Sequence, residues 1–107
     1  MKISDFATIL AKSQLSVAYR TFETGNVPEL PYLVYFEASP HLTGFDDQVG
    51  HEVKSVTVEL VFERKNEEIE ERLEELWNTH QLFFDVQEEI YIDTERLHVK
   101  SYIVYLY

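Results

Sequence analysis

A chain of 107 residues supports one small domain with a single core, and 45% hydrophobic with 14% aromatic content is the composition of a sequence that folds. Twenty acidic against nine basic residues leave a net charge of −11, which repels phosphate backbones and anionic lipid surfaces. Specific nucleic-acid binding and membrane binding are therefore not expected, and the absence of cysteine excludes disulfides, thiolate metal sites and cysteine nucleophiles.

No window approaches the roughly 18 consecutive apolar residues of a membrane span. The opening Met1-Lys2-Ile3-Ser4-Asp5 lacks the apolar core and small-residue cleavage pattern of a secretory signal, so no leader is expected. Ser4 is placed to cap a first helix, with Asp5 in its first turn, and Phe6, Ile9 and Leu10 form a short apolar stripe that ends near Gln14. Alternation predicts a first strand over residues 17–22. Gly25-Asn26 with Pro28 and Pro31 then mark a connection. A second strand over residues 32–38 is apolar on both sides, Tyr32, Val34 and Phe36 on one and Leu33 and Tyr35 on the other.

Residues 39–52 lose all periodicity. A stretch of this length and polarity in so small a domain reads as a functional loop, the arm of a long hairpin, with Phe45, Asp46 and Asp47 near its middle. The stretch that organises the rest follows it. In residues 53–63, Val56, Val58, Leu60 and Phe62 alternate with Ser55, Thr57, Glu59 and Glu63, the pattern of a half-buried strand. After Arg64-Lys65-Asn66 the period changes, and Ile69, Leu73, Leu76 and Trp77 repeat at helical spacing. So short a junction lays the helix stripe back over the apolar strand face.

Two short strands, residues 82–86 and 89–93, precede a polar turn at Asp93-Thr94-Glu95 and a last strand over residues 96–107. That strand again has two apolar sides, with Tyr102, Val104 and Leu106 on one of them. The expected fold class is α+β: a mostly antiparallel sheet of four or five strands with two helices on one face, in the order α-β-β-α-β-β, over residues 1–107 as a single domain. Two helices cover one face only. Leu33, Tyr35, Tyr102, Val104 and Leu106 lie on strand sides opposite the other apolar set, so self-association through them is expected, with Phe45, Asp46 and Asp47 of the loop as further contacts.

The conspicuous charge feature is Glu67, Glu68, Glu70, Glu71, Glu74 and Glu75 on the second helix, which reads as a solvated face capped by Asn66 and supported by a Glu68–Arg72 pair. Asp46, Asp47 and Glu52 lack calcium-loop spacing, and His41 and His51 match no zinc pattern. Neither a nucleophile elbow nor a phosphate-binding loop, metalloprotease pair or dinucleotide fingerprint is present. His80 closes the helix stripe and His98 shares a side with Tyr102; both read as structural. No catalytic, cofactor or metal site is expected.

Several stretches carry a family likeness. They are Ala18-Tyr19-x-x-Phe22, Gly25-x-x-Pro28-x-x-Pro31-Tyr32-Leu33-Val34-Tyr35 before a long polar loop, Val58-Glu59-Leu60 before a Glu-rich helix, and Tyr91-Ile92-Asp93-Thr94-Glu95-Arg96-Leu97-His98. In order and length the chain resembles the small neck and tail proteins of siphophages and prophages of Gram-positive bacteria: tail terminator, tail completion or head–tail joining proteins. The resemblance implies a non-enzymatic structural protein, a hexameric ring at the tail–head junction, and tail-tube or head-connector proteins as partners. It also implies assembly in the host cytoplasm and a final place in the virion; the charge of −11 would suit an acidic face towards a lumen through which DNA passes. Two other readings stand beside it: a cytosolic adaptor or regulatory domain binding a protein through the two-sided sheet, and an enzyme or small-ligand protein using the Asp46, Asp47 and His51 loop.

Overall fold

A computed structural model of the chain describes residues 1–38 and 53–106. The elements run α1 (Ile3–Ala11), β1 (Ser16–Tyr19), β2 (Tyr32–Glu37), β3 (Lys54–Phe62), α2 (Glu67–Thr79), β4 (Phe84–Ile92) and β5 (Leu97–Leu106). The α+β class holds: the described residues form two helices and a mostly antiparallel sheet of five strands in the order β1-β2-β3-β5-β4. The three strands read at residues 17–22, 32–38 and 53–63 all precede α2, so the element order is α-β-β-β-α-β-β, one strand longer than the expected α-β-β-α-β-β. None of the described helices is long and apolar enough to cross a membrane.

Local chemistry fixes the helix ends. Asn66 caps α2, its side-chain oxygen accepting from the N–H groups of Glu68 at 3.1 Å and Ile69 at 3.3 Å. At α1 the cap is Lys2 and not Ser4; its N–H donates to Asp5 Oδ2 at 2.8 Å, the acidic half of a capping box. Ser4 falls inside the first turn. The α1 stripe ends sooner than its sequence implies, because Gln14 takes a left-handed φ of 67°.

Register decides which side chains meet. Leu33 lies opposite Leu60, Tyr35 opposite Val58, Val58 opposite Tyr102 and Val56 opposite Val104. These side chains therefore share one face, and on it they pack with Phe6, Ile9 and Leu10 of α1 and Leu73 and Trp77 of α2. Both helices thus cover the same face. Trp77 is the hub: its ring lies 5.0 Å from Tyr102, 5.3 Å from Phe84 and 6.5 Å from Phe6.

This arrangement corrects the expected interface. Leu33, Tyr102 and Val104 are fully buried, with Leu106 and Tyr35 nearly so, all beneath the helices and closed to any partner. Composition marked both sides of β2 and β5 as apolar, but pairing with β3 puts these five residues on the side of Val56, Val58 and Leu60. Phe45, Asp46 and Asp47, with the rest of residues 39–52, lie outside the described residues.

Two further departures concern pairing. β1 is parallel to β2, shorter than the expected residues 17–22, and stops where Arg20 takes a φ of 66°. A parallel neighbour requires a crossover of about a dozen residues, which residues 20–31 supply. The start of the crossover lies against the face away from the helices, where Phe22 meets Tyr32 at 5.1 Å and the Arg20 guanidinium sits 5.5 Å from the Phe36 ring. In addition, residues 82–86 and 89–93 are parts of one strand, β4, interrupted by a bulge in which Gln87 and Glu88 stand opposite Ser101 alone. The extra residue shifts the alternation, which is why the sequence reads as two pieces.

Candidate functional site

The face away from the helices carries Tyr32, Val34 and Phe36 of β2, Thr57, Glu59 and Val61 of β3, Val99, Ser101, Ile103 and Tyr105 of β5, and Ile90 and Ile92 of β4. Val34, Val61 and Val99 are buried by neighbouring side chains, whereas Thr57, Ser101, Ile103 and Tyr105 remain half-exposed and Ile90 is 48% exposed. A hollow of about 340 Å³ opens beside the bulge, lined by Thr57, Gln87, Glu88, Ile90, Ser101 and Ile103. Glu59 lies in this face between Val34 and Ser101, and partial burial pushes its carboxyl above the ordinary carboxylate value. Tyr105 donates its hydroxyl to Asp85 at 2.7 Å on the same face.

The sheet ends in two unlike edges. β4 is nine residues long, and Val86, Ile90 and Tyr91 are each about half exposed along it. Beyond it no strand stands among the described residues, so one row of its peptide groups faces outward. Asp85, Glu88 and Glu89 and the bulge are devices that discourage indiscriminate pairing there. β1, at the other edge, has four residues and is flanked by exposed Lys12 and Arg20. Arg72 approaches the same side. Instead of pairing with Glu68, it donates to the Ser13 carbonyl at 3.1 Å.

On the helix side, Glu70 departs from the expected solvated face. It is 5% exposed and holds Lys65 at 2.9 Å and Lys100 in a short contact, while Lys65 also reaches Glu89 at 2.6 Å. Burial pushes the Glu70 carboxyl up, and the two lysines more than offset this, holding it below the ordinary value. Lys65 is held above its ordinary value, chiefly by its hydrogen bond to Glu89. The network ties the start of α2 to β4 and β5. Sequence spacing contained the signal: Glu70 precedes Leu73 by three and Trp77 by seven, which sets it on the buried stripe. The remaining glutamates of the run are exposed, Glu74 partly so.

Among the described residues, the buried Trp77 Nε1 and Tyr102 hydroxyl of the core make no hydrogen bond. Burial, with the charges of Glu74, Glu70 and Glu89, raises the Tyr102 phenol well above its ordinary value and keeps it protonated. A cleft of about 270 Å³ lies between Leu30 and Pro31, the end of β3 at Leu60 and Phe62, and the start of α2 at Ile69 and Glu70. His80 is the C-terminal cap of α2, and His98 stacks on Phe62 at 5.2 Å and lies 4.8 Å from Tyr91. Among the described residues no group of three His, Asp or Glu side chains is placed to hold a metal ion. No protein-family model matches the chain, and no curated protein or solved structure does either.

Proposed function

We propose that this chain is a non-enzymatic structural subunit of a siphophage or prophage neck, a tail terminator or head–tail joining component that works as a homo-oligomeric ring. The observation that carries the reading furthest is the long outer strand β4, whose half-exposed Val86, Ile90 and Tyr91 accompany an outward row of peptide groups. An outer strand of this kind is a ready template for a neighbouring chain. The open sheet face adds apolar area next to it. Strong acidity supports the same role, since a surface of one sign lets duplex DNA pass without adhering. The ring is built in the host cytoplasm, joins tail-tube or head-connector proteins and ends in the virion.

Light scattering and negative-stain imaging of the purified protein, with and without tail tubes, test this. Rings, or capping of tube ends, are the expected result; a monomer that ignores tubes would remove the proposal. Binding of duplex DNA at physiological salt would count against the lumen role. The adaptor reading is favoured by the same edge if the strand is filled by an unrelated extended peptide and never by a second copy.

A further inference from the structure

We infer that copies of this chain join head to tail, the β4 edge of one pairing with the β1 edge of the next. This deepens the ring reading and rests on it for closure of the assembly. Strand direction is the first ground. β1 and β2 run one way, β3 the other, β5 with β2, and β4 with β3. When a second copy is related to the first by rotation about an axis along the strands, its β1 lies antiparallel to the β4 it meets. Antiparallel is the more stable ladder, and it needs no inversion of the subunit. Every helix pair then falls on one surface of the continued sheet and every open face on the other.

Charge is the second ground. Residues 84–95 carry Asp85, Glu88, Glu89, Asp93 and Glu95 and no basic side chain. Residues 12–20 carry Lys12 and Arg20 and no acidic one, although acids outnumber bases about two to one over the chain. Glu89 is already paired with Lys65 and Asp85 accepts from Tyr105, so Glu88 is the freest acid of the strand. Pairing β4 with β4 would set these acids against each other, and like charges across a ladder destabilise it. Pairing β4 with β1 sets acid against base. Such an interface is heterologous, and it closes into a ring when the rotation allows.

The absence of native cysteine permits a direct test. Ser16→Cys on β1 and Glu88→Cys on β4 are both exposed replacements, made in separate full-length chains whose melting is checked against the parent. The chains are mixed and treated with a short bismaleimide, whose reach spans a residue or two of register. A covalent dimer is expected in the mixture and not from either chain alone, and a ladder of multimers from a chain bearing both replacements. Arg20→Glu in the Ser16→Cys chain should cut the yield several-fold, and Asp85→Lys in its partner should restore it. Cross-linking of the Glu88→Cys chain to itself as well as in the mixture, or no product where the parent forms oligomers, would overturn the edge pairing and leave the ring reading standing. No oligomer of the parent and no product under any condition would remove both.

Discussion

The two faces of the sheet are built from alternate residues of the same strands, and they end in different environments. Beneath the helices, Val56, Val58, Tyr102, Val104 and Trp77 are wholly removed from water. On the other side, Thr57, Ser101, Ile103 and Tyr105 stay half-exposed among the described residues, and Phe22 packs on that face at Tyr32. The first face resembles a finished interior, the second a surface whose apolar positions still have capacity to bury area. Strand alternation creates both. What separates them is which set the two helices cover.

The contrast can be broken most sharply at its hub. Trp77→Ala removes the ring that joins Phe6, Phe84 and Tyr102, and should cost about 4 kcal/mol in urea unfolding. Glu70→Ala should cost about 3 kcal/mol, because Lys100 is left largely buried without its partner. Acid should mimic part of that loss. The folded Glu70 carboxyl titrates below its ordinary value of 4.5, so its contribution is present above that pH and is lost as pH falls through the lowered value. Melting temperature of the parent minus that of Glu70→Gln should therefore shrink over that acidic window.

A smaller effect has the opposite sign. Tyr102→Phe deletes a buried hydroxyl with no hydrogen-bond partner among the described residues, and should stabilise by about 1 kcal/mol. An increase in unfolding midpoint checks it. The smallest effect on stability belongs to the other region: Ile90→Thr on β4 should leave the subunit within about 0.5 kcal/mol of the parent while weakening self-association in light scattering. A large loss of stability would show that Ile90 belongs to the core.

Much of the covered face was legible in the sequence, since its signals are local. Asn66 before an apolar helical repeat fixed the start of α2, and alternation from Val56 to Phe62 fixed β3. What could not be read was non-local. Whether Leu33 or Val34 joins the Leu60 side depends on hairpin register, and both residues are apolar, so the pattern offers no choice between them. The same ambiguity placed Tyr102, Val104 and Leu106 on the wrong side. Parallel pairing of β1 was hidden because its crossover holds no helix, and the bulge at Gln87-Glu88 divided one strand into two. Among the candidate contacts, only the existence of a second, incompletely covered face came through, and its side chains are Thr57, Ile90, Ser101, Ile103 and Tyr105 instead.

Amide hydrogen exchange, measured on the protein at rising concentration and again with tail tubes, addresses the proposed edge pairing most directly. Protection should rise in β4 (Phe84–Ile92) and β1 (Ser16–Tyr19) together, with β3 unchanged because it is already paired on both sides. Exchange in β4 that stays the same while rings form would contradict it.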